Sequence, residues 1–97
     1  MDEQHADGAN KFAEQQAIVE TFMQKARQAA AEGKDEQARM WLEGAVELDD
    51  DNVEAWLRLA ELIPDARERM QCYVRVLELE PGNAKARAGI RKARRNL

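Results

Sequence analysis

The sequence predicts an all-α fold built from antiparallel helical hairpins stacked on one another, and three observations predict it. Apolar residues recur at 3.6-residue spacing along most of the chain, while no segment alternates with period two over a useful length. Turn-forming residues interrupt that pattern around Gly33, Asp49–Asn52, Pro64 and Pro81–Asn83. Two of these interruptions are near copies of each other, 31 residues apart.

Taken in order, residues 1–10 are polar and without periodicity, and are expected to form a disordered lead-in to a helical domain at 11–97. From there Phe12, Gln15, Ile18, Val19, Phe22, Met23, Ala26, Ala29 and Ala30 fall on one helical stripe. Gly33 is expected to end this helix in the left-handed conformation that a residue without Cβ adopts freely, and Asp35 to cap the next one. The second helix gathers Ala38, Trp41, Leu42, Ala45, Val46 and Leu48 on one broad face. It ends in Asp49-Asp50-Asp51-Asn52, whose side chains are suited to accept hydrogen bonds from the free amides of the following helix.

The third helix, about residues 53–63, is apolar nearly all round (Val53, Trp56, Leu57, Leu59, Ala60, Leu62, Ile63), with Glu54, Arg58 and Glu61 left for solvent. A helix of that kind is covered on several sides, so it is expected to be the central element, with Trp56→Ala costing about 3–5 kcal/mol. Pro64 is expected at the first position of a fourth helix, where its missing amide costs nothing. Met70, Tyr73, Val74, Val76, Leu77 and Leu79 give that helix its apolar side. Pro81-Gly82-Asn83 then ends it and caps a fifth, which carries a single narrow stripe of Ala86, Ile90, Ala93 and Leu97.

The repeat is explicit between Glu47-Leu48-Asp49-Asp50-Asp51-Asn52-Val53-Glu54-Ala55 and Glu78-Leu79-Glu80-Pro81-Gly82-Asn83-Ala84-Lys85-Ala86. Earlier in each unit the offset is 34, as from Phe22 to Trp56 and Ala26 to Ala60, so one helical turn is lost just before Pro64. Self-similarity at this period is the mark of stacked helical hairpins. Over roughly residues 19–95 the chain resembles the tetratricopeptide repeat (TPR) family, on Phe22, Ala26, Ala38, Leu42 and Ala45 in one unit and Trp56, Leu59, Ala60, Tyr73, Val76 and Glu80-Pro81 in the other. It departs from that pattern at Lys25, Arg69 and Asp50, where the family usually has Leu, Ala and Pro. The resemblance implies a right-handed TPR-like α-solenoid, with repeat one at about 19–52, a shortened repeat two at about 53–83, and a C-terminal capping helix at about 84–97.

Composition narrows the function. The 97 residues make one small domain, with 44% apolar residues, too many for a disordered tail, and 35% charged, too many to lie buried in a bilayer. No run of 18 apolar residues occurs, the first five residues lack the basic and apolar parts of a signal peptide, and Cys72 is the single cysteine; together these point to the cytosol. His5 has no metal-ligand partner at suitable spacing, and Cys72 is expected to be a small core or boundary residue. The acidic run at 49–52 lacks the glycine and the closing acid of a calcium loop and is better read as an inter-helix turn. No catalytic, cofactor or metal site is expected, and no enzyme activity.

Charge is unevenly spread. Residues 84–97 carry six bases and no acid, whereas the remaining nine bases face nineteen acids, so a net −4 divides into +6 and −10. A solubilising cap is the plain reading of the basic helix; an acidic partner or the acidic face of a second copy is the sharper one, and nucleic acid is disfavoured because no aromatic interleaves the bases.

The family resemblance further implies a concave groove lined by the first helix of each unit. Its candidate residues are Met23, Arg27, Leu57, Arg58, Glu61, Lys85 and Lys92. The Lys/Asn clamp with which some relatives hold a peptide carboxylate is absent, since those positions hold Met23, Arg27, Arg58, Lys85 and Ala88. The expected function is therefore a protein–protein interaction module binding a protein or peptide, with Arg27, Arg58 and Lys85 able to pair with its acidic side chains. An apolar edge at Phe12, Phe22 and Trp41 is expected to support pairing of two copies as a homodimer. The alternatives are a structural fragment of a larger array with no ligand of its own, and a nucleic-acid contact through the last helix.

Overall fold

A computed structural model describes residues 3–97, with side chains from Asn10 onward. The expectation for His5 and for the first two residues lies outside the described residues. Among the described residues five helices follow one another: α1 (Glu3–Ala31), α2 (Asp35–Leu48), α3 (Val53–Leu62), α4 (Ala66–Leu79) and α5 (Ala84–Arg94). The described residues contain no strand. Short links oblige neighbouring helices to run antiparallel, and each helix packs chiefly on those adjacent to it in sequence. The result is an α-solenoid of two hairpins and a fifth helix, elongated to 58 × 31 × 17 Å.

α1 begins at Glu3, well ahead of the expected start, and this first part extends the packed part of the helix. Burial begins only at Val19, and no residue from Asn10 to Ile18 is buried. Gln15 Nε2 nonetheless donates to the Leu48 carbonyl at the end of α2.

The helix ends follow local chemistry. Gly33 has φ of 74°, and Lys34 N–H donates to the Ala29 carbonyl (2.8 Å) while Gly33 N–H donates to that of Ala30 (3.1 Å), a Schellman closure of α1. Asn52 caps α3 by accepting from Ala55 N–H (3.0 Å), and Asn83 caps α5 by accepting from Ala86 N–H (2.9 Å). Two expectations need correction. Asp35 is the first residue inside α2, following Lys34 at the cap, and acts with Glu36 on the helix dipole instead of capping it. Pro64 lies in the α3–α4 link, and α4 starts two residues later behind Asp65. The carbonyls exposed by this short link are taken up by Arg69, whose Nη1 donates to Ile63 (3.0 Å) and Pro64 (2.6 Å). That explains an arginine where the family has a small residue.

The core is a continuous cluster of Val19, Met23, Ala26, Leu42, Ala45, Ala55, Leu59, Ala60, Ile63 and Cys72, with Phe22, Trp41, Trp56 and Tyr73 half-buried around it. Trp56 is thus less central than its helix suggested: its ring covers the core edge and its indole N–H donates to the Asp50 carbonyl at 2.8 Å. Phe22 and Trp41 pack on each other with ring centroids 5.2 Å apart, and Lys25 Nζ sits 5.4 Å from the Trp41 ring centre. A lysine at this departure from the family pattern therefore forms a cation–π contact. Of the three residues expected at a self-pairing edge, only Phe12 stands exposed, at 66%.

Candidate functional site

The inner face is built from one side of α1, α3 and α5. Leu57, at the middle of α3, forms the half-buried floor of a shallow depression of about 400 Å³ bounded by Val53, Glu54, Arg58, Glu61 and Lys85. A second depression, of about 280 Å³, continues from Leu57, Glu61 and Lys85 towards Tyr73, Ala88, Gly89 and Lys92. Helical spacing explains the line-up: residues 54, 57, 58 and 61 share one face of α3, and 85, 88, 89 and 92 share the equivalent face of α5. Five of the seven groove residues read from the sequence, Leu57, Arg58, Glu61, Lys85 and Lys92, thus border one continuous trough.

Met23 and Arg27 do not. Met23 is 1% exposed and belongs to the core, because the stripe of α1 turns it towards α2 and α3. Arg27 faces the inner side but is engaged, its Nε and Nη2 donating to the two carboxylate oxygens of Glu54 at 2.8 Å each. Arg58 Nε donates to the same carboxylate at 2.7 Å, one turn along α3, and Glu20 approaches Arg27 at 3.4 Å. The helical pattern leaves Glu54 for solvent, yet it is the hub of this network. Only its i,i+4 spacing to Arg58 signalled that role.

The electrostatics follow. Hydrogen bonds from Arg27 hold the Glu54 carboxyl at about 2, well below its ordinary 4.5; partial burial opposes this and Arg58 reinforces it. The same bonds raise the Arg27 guanidinium further above its already high value. Both arginines expected to receive a partner's carboxylates are therefore engaged with Glu54, Arg27 through two hydrogen bonds and Arg58 through one. Among the described residues Lys85 Nζ has only a distant carboxylate, Glu61 at 3.9 Å, and Lys92 forms no ion pair. These two lysines are the available cations of the trough.

Other candidate chemistry is absorbed by the fold. Arg75 ties the acidic turn to α4, donating to the Asp50 carbonyl (3.1 Å) and Asp51 (3.1 Å). Cys72 is buried, and burial with the nearby Glu68 pushes its thiol pKa up, away from the reactive thiolate. Among the described residues no group of three or more His, Cys, Asp or Glu converges as a metal site, and no helix is long and apolar enough to cross a membrane.

A tetratricopeptide repeat family model matches residues 19–62, which is the packed half of α1, all of α2 and all of α3. The match opens at Val19, the residue where burial begins. Residues 19–62 belong to the tetratricopeptide repeat family. Tetratricopeptide repeats are in general non-catalytic modules of protein–protein interaction. No curated protein matches the chain.

Proposed function

We propose that this chain is an interaction module that holds an extended acidic peptide, or the acidic segment of a protein, in the trough between α3 and α5. The observation that supports this reading is the continuity of the trough: Leu57 offers an apolar floor, while Lys85 and Lys92 line its α5 side with nearly unengaged ammonium groups. A peptide side chain would cover Leu57 and its neighbouring carboxylates would meet the two lysines, gaining charge-assisted hydrogen bonds. Arg27 and Arg58 serve this reading indirectly, by holding Glu54 away from the ligand's carboxylates.

The test is a random peptide library selected on the wild-type chain, with the enriched peptides then titrated against two variants. Leu57→Glu is expected to weaken them at least about tenfold, and Lys85→Glu/Lys92→Glu to abolish binding at low salt, each with an unchanged circular dichroism spectrum; a tenfold change corresponds to about 1.4 kcal/mol. Enriched peptides without acidic residues, or peptides indifferent to both variants, would overturn the proposal.

A further inference from the structure

The fifth helix is informative for what it leaves uncovered. At the 31-residue offset Ala86, Ile90 and Ala93 correspond to Ala55, Leu59 and Leu62, and this face of α5 turns inward, with Ala86 and Ala93 buried. The other apolar face of α3, Trp56, Ala60 and Ile63, corresponds to Arg87, Arg91 and Arg94. All three arginines are exposed and none has an ion pair among the described residues. Where α3 has a face covered by apolar packing, α5 therefore has a row of guanidinium groups one turn apart. An ordinary apolar helix laid on that row would strand three buried charges, which is prohibitively costly.

An apolar strip on α4 meets the chain again at Leu97, three residues after the last of these arginines. Met70 and Val74, the latter 45% exposed, line with Leu97 a depression of about 520 Å³ that also carries Arg67, Arg75 and Glu78. The ligand that fits is a helix with an apolar centre and acidic flanks. This chain carries one. The outer face of α2 presents Glu36, Met40, Glu43 and Glu47, all exposed and spaced i, i+4, i+7 and i+11, with Met40 60% exposed between the acids. The asymmetry is general: residues 1–52 hold five bases against thirteen acids, net −8, and residues 84–97 hold six bases and no acid, net +6.

We infer that copies of this chain associate head to tail, the acidic outer face of α2 in one copy docking on the arginine row of α5 and the Met70–Val74 strip of α4 in the next. Different surfaces meet in such a contact, so each added copy leaves one head and one tail free until the rotation between copies closes a ring. It leaves the trough at Leu57 untouched and is independent of the peptide reading. Unlike charges at the two ends also steer encounter, an effect that salt suppresses.

Sedimentation of the full chain over a concentration series tests this, at about 0.01 M salt, where the screening length is about 30 Å, and at about 1 M, where it is about 3 Å. The expected result is a mass that rises with concentration at low salt and returns to one chain at high salt. Two neutralised variants then resolve the geometry, Arg87→Gln/Arg91→Gln/Arg94→Gln and Glu36→Gln/Glu43→Gln/Glu47→Gln, with circular dichroism as the check on folding. Each alone is expected to remain a monomer, and an equimolar mixture to form a dimer and nothing larger, since one head and one tail survive between them. A wild-type monomer at low salt, association that persists at high salt, self-association of either variant, or a monomeric mixture would each overturn the inference.

Discussion

A methyl group added at Gly89 would lie 2.4 Å from the Tyr73 ring, and one added at Gly44 would lie 2.9 Å from the Phe22 ring. Both glycines sit inside helices, where alanine is ordinarily better by about 0.5–1 kcal/mol. At Gly89 the ring must shift, and overpacking costs about 1–3 kcal/mol, so Gly89→Ala is expected to lower the melting temperature where a helix-propensity argument would raise it. Neither glycine was legible as a packing residue, because the constraint comes from a ring on another helix. Glu54 shows the same limit, with its partner Arg27 lying 27 residues away. Its depressed pKa makes a pH prediction. The unfolded chain takes up this proton near 4.5 and the folded chain near 2, so the stabilisation is complete above about 4.5 and is lost as pH falls towards 2. Acid titration of stability should show that limb in the wild type and lose it in Glu54→Gln. Because it frees Arg27 and Arg58, Glu54→Gln is also expected to bind acidic peptides more tightly while costing only about 1 kcal/mol of stability, as measured by calorimetry and chemical denaturation.

Among the elements, the links carry the most information. Gly33, Asn52 and Asn83 were legible because each answers a strictly local demand, a left-handed residue or an oxygen for free amides. Pro64 misled because its fixed φ suits both the first turn of a helix and the link just before it, and the missing helical turn here chose the link. Arg69 closes that link, and Arg69→Ala is expected to destabilise the domain by about 1–2 kcal/mol, since two hydrogen bonds from a charged donor are lost at a partly exposed site. Trp56→Ala is expected to cost about 3 kcal/mol, the lower end for a tryptophan, because the ring borders the core and is only partly buried. Thermal or urea unfolding measures both. A loss from Arg69→Ala indistinguishable from zero would mean that the link holds without its clamp.

For the whole molecule, the all-helical stack was legible because each helix buries its stripe mainly against its sequence neighbours, so periodicity and turn signals already contain most of the topology. The groove was legible as a row of positions but not as a charge state. The family resemblance lined up Leu57, Arg58, Glu61, Lys85 and Lys92, yet only three-dimensional pairing shows that Arg27 and Arg58 both engage Glu54 while Lys85 has a single carboxylate at 3.9 Å. Chemical-shift mapping of the isotope-labelled chain with a library-selected acidic peptide tests this account most directly. The shifted amides are expected to cluster on Leu57, Glu61, Lys85, Ala88 and Lys92. Shifts confined to the outer faces of α2 and α4, with the α3–α5 trough unmoved, would contradict it.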